Sequence, residues 1–496
     1  MILDWLHRRP VTAPLECGSP ASALGLGSSG LYRTVQDSGA ARLASQGLPV
    51  ASRGASGQNR GGLSDAFLHL QTDGISAQWQ TRFGVQEDWL NSHGVEFPQG
   101  VTNHMIHEVA VKNFKSLKDV ALTLGQRNVL VGPNLSGKSN FIGVFRFLTQ
   151  MVSAAAGTYG LPNAIQSMGG FSEVAWKGSE SGPISVALTG KGRPFDTFGS
   201  EAKWDYRITI VGDRWGSPRV QAESVTVEAG DRRFILIESE GAVRKLKNRD
   251  GRSISEAGGP DRSALEFEIP DWEGNALREF FRSWQYHNLI PPLIKVFNQS
   301  VGANFLTEAG DNLGSWLMTL QTKYADSFER IARVAKDAFP GLERLFTIPT
   351  QQGQVFIAAQ EKYLKRPVSG FQMSDGELAF IALVSLIFSP PGLGAPLYCV
   401  EEPENHLHPR LLDTLVEVLK QVQEELRPEE RSQIVITTHS PYLIDKFSLD
   451  ELIVFEKREG ATVPTRPSNK RHLRDLLESE EIGLGQLFYS GALSGE

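Results

Sequence analysis

Eight consecutive residues, from Gly132 to Ser139, have the types and the spacing that phosphate binding requires. Their sequence, Gly-Pro-Asn-Leu-Ser-Gly-Lys-Ser, matches the pattern G-x-x-x-x-G-K-[ST]. Gly132 and Gly137 allow the backbone to wrap phosphates closely, with its N–H groups pointing inward. Lys138 would pair with the β and γ phosphates of a nucleotide, and Ser139 would ligate Mg²⁺, which prefers oxygen ligands. An apolar strand before the motif and a helix after it favour this interpretation over an accidental glycine-rich turn.

Two adjacent carboxylates, Glu401 and Glu402, follow a second apolar stretch that begins at Pro396. A buried strand would fix both side chains at the edge of a sheet, beside bound phosphates. Glu401 would help to hold Mg²⁺, directly or through water, and Glu402 would orient and polarise an attacking water. Taken alone, a strand that ends in Glu-Glu also fits a surface loop, but the phosphate-binding motif upstream favours the catalytic interpretation.

Two further short motifs flank the carboxylates. Met373-Ser-Asp-Gly-Glu377 precedes a helix, and Thr438-His-Ser440 follows the next apolar strand. By itself the first motif is an ordinary helix start, in which Ser374 caps the helix and Glu377 completes a capping box. A lone histidine at a strand end is more often structural, although the imidazole of His439 could also donate to a phosphate.

These motifs need a sheet whose strands bring them together. The C-terminal third alternates helices with apolar strands, which argues for a parallel-sheet α/β core. Alternation at Tyr206, Ile208 and Ile210 indicates that one face of the middle region is buried. The periodicity predicts strands at 106–114, 120–124, 128–131, 184–188, 206–211, 234–237, 397–400 and 433–437. It predicts helices at 137–151, 280–284, 317–331, 376–388 and 409–426.

The order of these motifs resembles the ATP-binding-cassette ATPases of the RecF, SMC and OLD type, which are often grouped with the AAA-family ATPases. The resemblance runs from about Ile106 to the C-terminus, and Glu402-Pro-Glu-Asn-His-Leu-His-Pro409 is similar to that family's extended Walker B element and D-loop. It implies an α/β fold, a P-loop NTPase cassette with a mixed β-lobe, a parallel core sheet and a helical insertion. It also implies ATP and Mg²⁺ as cofactors, and ATP hydrolysis as the activity.

The same resemblance implies roles for individual residues. Ser374 and Gly376 resemble the signature that reaches across a dimer to the γ-phosphate of the other subunit, and His439 resembles the switch histidine that senses it. The expected catalytic residues are Glu402, His439 and Lys138. The residues expected to bind the nucleotide are Asn113, Phe114, Lys115, Gly132, Pro133, Asn134, Ser136, Gly137, Lys138, Ser139, Asn140, Ser374, Gly376 and Glu377. The residues expected at the metal are Ser139, Glu401 and Gln166.

Two of these assignments leave alternatives open. Gln166, just before Met168, is our candidate for the glutamine loop that would couple Mg²⁺ to the accessory lobe, and a plain loop glutamine fits equally well. His406 and His408 could form a metal pair. Two histidines two residues apart without a third ligand favour a structural or interfacial role instead.

The first hundred residues differ in composition from the rest. They are rich in Gly, Ser and Ala, and the first lysine is Lys112. Residues 1–104 therefore fit either a low-complexity, disordered extension or a gene model that begins before the true start at Met105. The ATPase domain is predicted at 105–496, with the P-loop and β-lobe at 105–270, the helical insertion at 271–345, and the signature, Walker B and switch lobe at 346–496.

We expect that removing the residues before Met105 leaves folding and nucleotide affinity unchanged, because that stretch lacks the apolar periodicity of a packed element. The measurement compares the solubility, thermal unfolding and ATP affinity of residues 105–496 with those of the full chain. A truncated protein that is insoluble, or that has lost nucleotide affinity, would place the segment within the fold.

Composition and charge are those of an ordinary globular protein, with 40% hydrophobic and 22% charged residues. The net charge of −7 means that DNA binding would need a local basic patch. The candidate runs are Arg244 to Arg249 and Arg466 to Arg474, although such runs are usually solvated surface. Cys17 and Cys399 cannot form a disulfide framework. The sequence has no secretory signal and no apolar run of membrane length, so we expect a cytoplasmic protein without membrane contact.

The resemblance also excludes two elaborations of the family. No sustained heptads separate Ser139 from Ser374, which argues against long SMC-type arms, and too little chain follows His439 for a TOPRIM nuclease domain. We therefore expect an ATP-gated homodimeric switch that controls a separately encoded effector, such as a nuclease, in defence or stress response. One alternative is a DNA-repair ATPase that binds DNA directly. Another is a nucleotide-dependent scaffold with negligible turnover, against which the intact Glu402 argues.

Overall fold

The computed structural model describes residues 106–153, 160–178, 182–212, 217–241, 243–255, 259, 262–467 and 483–493. The predicted N-terminal extension lies outside these ranges, so that prediction stays untested. None of the helices in the described ranges combines the length and the apolar character that a membrane span requires.

A six-stranded sheet forms the centre of the fold. Its strands lie in the order β10-β15-β16-β3-β17-β18. The first five run parallel, and only β18 pairs antiparallel with its neighbour. Almost every residue of the central strands is buried, as expected for strands covered on both faces. The strands are β3 (Arg127–Val131), β10 (Gln285–His287), β15 (Leu397–Glu401), β16 (Gln433–Thr438), β17 (Leu452–Arg458) and β18 (Ala461–Thr465).

An antiparallel sheet of eight strands forms the β-lobe, in the order β2-β1-β4-β5-β6-β7-β8-β9. Strict alternation of buried and half-buried residues along β4 and β5 gives this sheet one face for the core, as the sequence pattern predicts. Its strands are β1 (Ile106–Phe114), β2 (Leu117–Thr123), β4 (Ile184–Lys191), β5 (Lys203–Val211), β6 (Arg219–Ala229), β7 (Arg232–Glu240), β8 (Val243–Lys247) and β9 (Ser253–Ile254).

A third, antiparallel sheet carries the signature lobe, with β13 (Gln354–Glu361) at its centre. Its neighbours are β11 (Asn298–Gln299), β12 (Leu342–Pro349) and β14 (Val368–Ser369). The predicted α/β fold, with a parallel core sheet and a β-lobe, is confirmed.

Helices cover the core sheet and the signature lobe. The described helices are α1 (Lys138–Val152), α2 (Gly160–Ser167), α3 (Phe171–Val174), α4 (Gly274–Arg282), α5 (Pro291–Ile294), α6 (Leu313–Lys323), α7 (Ala325–Ala338), α8 (Asp375–Ile387), α9 (Pro409–Glu425), α10 (Pro441–Ile444) and α11 (Leu484–Tyr489). α1 lies deep in the protein, where Phe141, Phe145 and Phe147 are fully buried. This burial fixes the direction of α1, and therefore the position of the phosphate-binding loop that precedes it.

Two local differences from the sequence expectation concern the region after residue 270. The apolar spacing from 317 to 331 is divided between α6 and α7, because Tyr324 takes a non-helical backbone conformation between them. The segment 271–345 is also more than a helical insertion. It contains β10, which pairs in parallel with β15 at the edge of the core sheet. Such a short strand has too few residues to show periodicity.

Candidate nucleotide-binding site

The phosphate-binding loop lies between β3 and α1, as its motif predicts. Gly137 starts the helix with φ 107°, a left-handed conformation that favours glycine, and it offers no side chain to cap the helix N-terminus. Lys138 donates hydrogen bonds from Nζ to the carbonyl oxygens of Gly132 (2.7 Å) and Pro133 (3.0 Å). Burial lowers the pKa of Lys138, and the charges of Glu402 and Glu404 oppose that shift.

These residues fit a phosphate chain. The uncapped N-terminus of α1 leaves backbone N–H groups for an anion. The hydroxyl of Ser136 is buried without a hydrogen-bond partner, which leaves a donor at the loop. A Cβ atom at Gly132 would come within 2.2 Å of the Phe455 carbonyl oxygen, so the turn tolerates only glycine. The loop therefore has the form and the charge that a nucleotide phosphate needs.

Ser139 and Glu401 are brought together at the start of α1. The Ser139 hydroxyl donates to Glu401 Oε2 at 2.7 Å, although the two residues are far apart in sequence. A hydroxyl beside a carboxylate suits Mg²⁺, which usually takes one or two protein oxygens together with phosphate oxygens and water. No group of three or more His, Cys, Asp or Glu side chains in the described ranges could hold a metal by itself. The chemistry of the pair therefore fits a metal shared with the nucleotide.

Glu402 follows β15 in a left-handed conformation, with φ 45°. Its backbone N–H donates to the carbonyl of Thr437 on the neighbouring strand at 2.9 Å, which holds the turn in place. The carboxylate lies between two side chains: Asn405 donates to Oε2 at 3.0 Å, and His439 Nδ1 is 3.4 Å from Oε1. Non-glycine residues in this conformation often occur at functional sites, where the surroundings enforce the strain.

Glu404 is a site residue that the sequence interpretation did not assign. Its Oε1 accepts hydrogen bonds from the Thr438 hydroxyl at 2.6 Å and from the His439 backbone N–H at 3.2 Å. Glu404 therefore holds the segment that begins at Thr438 against the turn after β15. Its other oxygen, Oε2, is buried without a hydrogen-bond partner. The resemblance of this turn to a D-loop was the available signal, but only the fold brings the turn beside Thr438.

The end of β1 is held by contacts within the chain. Asn113 and Lys115 have left-handed backbone conformations, and Asn113 Nδ2 donates to the carbonyl of Gly182 at 2.7 Å. Phe114 is fully buried and packs against Phe147, with ring centroids 5.9 Å apart. The Phe114 ring therefore belongs to the core beneath α1, and the nucleotide contact of this strand end stays a prediction.

The signature motif forms the capping box that its sequence predicts. Ser374 Oγ accepts from the Glu377 N–H at 3.2 Å, and Glu377 Oε2 accepts from the Ser374 N–H at 2.7 Å. A Cβ atom at Gly376 would lie 2.8 Å from the carbonyl oxygen of His406. Glycine at this position thus lets the start of α8 approach the turn after Glu402.

Gln166 lies on α2, near the opposite end of α1 from Ser139. It is exposed on α2, and its neighbour Ser167 donates to Gln150 Oε1 at 3.1 Å. Gln150 is eleven residues beyond Ser139 on α1, which corresponds to about 16 Å along the helix. This geometry does not support the glutamine-loop assignment of Gln166, which stays a prediction. The position next to Glu401 belongs to the end of β10, where His287 pairs with Val400 and Asn288 follows.

A threonine on β18 supports the phosphate-binding loop from outside. Thr462 Oγ1 donates to the carbonyl of Ser136 at 2.8 Å and shares a hydrogen bond with Ser116 Oγ at 2.7 Å. Asn140 also donates to Ser116 Oγ, at 2.7 Å. A Cβ atom at Gly137 would lie 2.0 Å from Thr462 Oγ1, so loop and strand fit closely. No sequence motif marks Thr462.

We expect Thr462→Val to weaken nucleotide binding about fivefold, because the Ser136 carbonyl would lose its buried donor while the side-chain volume stays the same. Thr465→Val on the same strand is the matched control, since the Thr465 hydroxyl has no hydrogen-bond partner. Calorimetric titration with a non-hydrolysable ATP analogue measures both variants. Equal affinities for the two would refute the supporting role.

The remaining candidates have structural contacts. His408 Nδ1 accepts from the Arg410 N–H at 3.3 Å at the start of α9, which favours the structural interpretation of the histidine pair. Arg249 donates to the Thr197 carbonyl at 3.0 Å. Arg466 donates to the carbonyls of Asp450 and Thr123, both at 2.6 Å, and burial lowers its pKa. Residues 468–474 of the second basic run lie outside the described ranges.

Comparison with known proteins agrees with this site. Residues 249–445 match the family described as "AAA domain, putative AbiEii toxin, Type IV TA system". The matched range contains the signature, β15 with its two carboxylates, and His439. A comparison with curated protein sequences gave no significant match.

Among solved structures, the chain is similar to SMC heads. An SmcHead bound to the C-winged helix domain of ScpA is 18% identical, with 74% of this chain and 99% of that chain covered and a TM-score of 0.46. An Smc head domain with an extended coiled coil, bound to the C-terminal domain of ScpA and derived from Pyrococcus furiosus, is 16% identical, with 76% and 100% covered and a TM-score of 0.44. The SMC head domain from Thermotoga maritima is 15% identical, with 73% and 98% covered and a TM-score of 0.36. These comparisons thus show similarity to an AAA domain over residues 249–445 and to SMC heads at 15–18% identity.

Proposed function

We propose that this protein binds and hydrolyses ATP with Mg²⁺, and that it acts as an ATP-gated homodimeric switch for a separately encoded effector. The observation that carries the proposal is the cluster of Ser139, Glu401, Glu402 and His439 at one edge of the core sheet, beside an uncapped helix N-terminus. A metal-binding pair, a general base and a phosphate-sensing donor are the groups that nucleotide hydrolysis needs.

The chain's own residues divide the work of hydrolysis. Lys138 and the N–H groups of α1 bind the phosphates, and Ser139 with Glu401 holds the metal, which neutralises phosphate charge when bound. Glu402 accepts the proton of the attacking water. Asn405 fixes one oxygen of that carboxylate, and His439 lies beside the other, which sets its direction.

Exposed apolar residues on both halves of the site support a dimer with a second copy of this chain. Leu135, at the tip of the phosphate-binding loop, is 86% exposed and has a left-handed φ of 67°. Other exposed apolar residues lie close in sequence to the signature or to Lys295, which forms an ion pair with Asp375 of the signature. They are Leu293, Val296, Phe297 and Phe371. A two-fold dimer that brings each loop to the partner's signature would cover these residues symmetrically.

The basic residues favour an effector over direct DNA binding. Arg249 and Arg466 are used in hydrogen bonds to backbone carbonyls within the chain. Fewer cations of the two basic runs are therefore available to pair with phosphates of a nucleic acid.

A pull-down distinguishes the candidate functions. The bait is the tagged protein with Glu402→Gln, held with Mg²⁺–ATP, and the matched bait is the same variant with ADP. We expect a defined protein partner that is recovered with ATP and lost with ADP. Recovery of nucleic acid without such a partner would favour the DNA-repair alternative, and recovery of neither would refute the effector proposal.

A further inference from the structure

Arg146 on α1 lies between two carboxylates that come from different parts of the fold. It follows Ser139 by seven residues, so both side chains project from the same face of the helix. Arg146 Nη2 is 2.7 Å from Glu308 Oε1 and 3.4 Å from Glu401 Oε1. One guanidinium nitrogen is therefore shared by the expected metal ligand and by a residue of the segment 288–312.

The surroundings of Arg146 allow it to move between these partners. Its guanidinium lies over the ring of Tyr286, with the guanidinium carbon 5.3 Å from the ring centroid. This cation–π attraction does not fix the orientation of the guanidinium as a hydrogen bond would. Its Nε is buried without a hydrogen-bond partner, so hydrogen bonds do not fix all of the guanidinium nitrogens. The Tyr286 hydroxyl is itself fixed by Thr149 Oγ1 at 2.8 Å, which keeps the ring in place.

Segment 288–312 connects this arginine with the signature. The carbonyl of Glu308 accepts from the Asn288 N–H at 2.9 Å, directly after β10. At the other end of the short helix α5, Lys295 Nζ is 2.7 Å from Asp375 Oδ1, the first residue of α8. One segment thus has an ion pair at the P-loop helix and another at the signature helix.

We propose that Arg146 is a positioning residue for Glu401 and that Glu308 draws Arg146 away when Glu401 turns to Mg²⁺, so that segment 288–312 responds to the filled metal site. The inference rests on the proposed Mg²⁺–ATP function. Arg146 lowers the affinity of Glu401 for the metal by competing for its Oε1. Glu308 relieves this competition, because it offers Arg146 a second carboxylate.

This arrangement predicts opposite effects for the two charge removals. Glu308→Gln leaves Arg146 with Glu401 alone, so the Mg²⁺ concentration for half-saturation should rise about fivefold, as for loss of one charge-assisted hydrogen bond. Arg146→Met frees Glu401, so that concentration should fall. The double variant should match Arg146→Met, since Glu308 acts only through the arginine. Arg146→Lys keeps the charge and should stay near the parent.

The readout is fluorescence of a labelled, non-hydrolysable ATP analogue, titrated with Mg²⁺, which does not depend on turnover. Glu173→Gln, which removes the exposed ion pair between Glu173 on α3 and Lys177 just after that helix, is the matched control and should behave like the parent. Hydrogen exchange of the Asn288 backbone N–H, which donates to the Glu308 carbonyl, gives a second, local readout. In the parent, Mg²⁺ together with the analogue should slow this exchange about tenfold, because the hydrogen bond becomes more stable. It should not do so in Glu308→Gln.

The outcomes separate this inference from the proposed function. A parent protein that binds no nucleotide, or for which Mg²⁺ has no effect on binding, contradicts the function itself. Normal Mg²⁺-dependent binding in which Glu308→Gln and Arg146→Met shift half-saturation in the same direction, or not at all, overturns only the role of Arg146. Glu308→Asp, with a shorter side chain, serves as a second variant with the same expected direction if Glu308→Gln fails to fold.

Discussion

Glu402→Gln should convert the protein into an ATP-bound dimer that turns over very slowly. Glutamine keeps the shape of the side chain and can still contact Asn405, but it cannot accept the proton of the attacking water. Turnover should fall by roughly a hundredfold or more, while ATP binding persists. Each nucleotide would be gripped by the phosphate-binding loop of one subunit and Ser374 of the other, so slow hydrolysis should keep the halves together.

Mass measured by light scattering or analytical ultracentrifugation, with Mg²⁺–ATP and with ADP, tests this expectation. Glu429→Gln is the matched control, because Glu429 precedes the amino end of β16, at the opposite edge of the core sheet from Glu402. A Glu402→Gln variant that stays monomeric with Mg²⁺–ATP, or that hydrolyses as fast as the parent, would contradict the dimer or the role of Glu402. A protein that is dimeric in every nucleotide state would be compatible with the catalytic role of Glu402 but would contradict ATP-dependent dimerisation.

Lys138→Ala should abolish turnover and weaken ATP binding by roughly a hundredfold, the loss expected for two hydrogen bonds to charged groups. The fold should remain, because Lys138 contacts only carbonyl oxygens of its own loop, at Gly132 and Pro133.

Steady-state phosphate release and titration with an ATP analogue measure the two effects, and thermal unfolding checks the fold. Lys177→Ala, at an exposed lysine in the turn after α3, controls for the loss of charge. Parental turnover in Lys138→Ala would refute the assignment of the phosphate-binding loop. A variant that no longer unfolds cooperatively would instead assign Lys138 a structural role.

The local patterns of the sequence were sufficient for much of the site. Gly137 and Ser139 start a helix after a buried strand, Ser374 and Glu377 form their capping box, and Glu402 follows an apolar strand. These features depend on backbone conformation and on neighbours within a few residues, which sequence spacing records directly.

Contacts between distant segments were decided only by tertiary structure. The sequence contains nothing that pairs Thr462 with Ser136, or Arg146 with Glu308, because such pairs depend on how sheets and helices pack. The three-residue strand β10 is also too short for periodicity to reveal, and its place in the core sheet was therefore not predicted.

Phe114 and Gln166 show what a family-like position in the sequence cannot predict. Burial beneath α1 and the direction of α2 decide where each of these side chains lies. The sequence by itself determined the loop before α1, the position of the two carboxylates at the end of β15 and the class of fold, since these follow from local chemistry and alternation. Only the packed structure decided which side chains reach that edge of the sheet, because long-range contacts depend on the whole core.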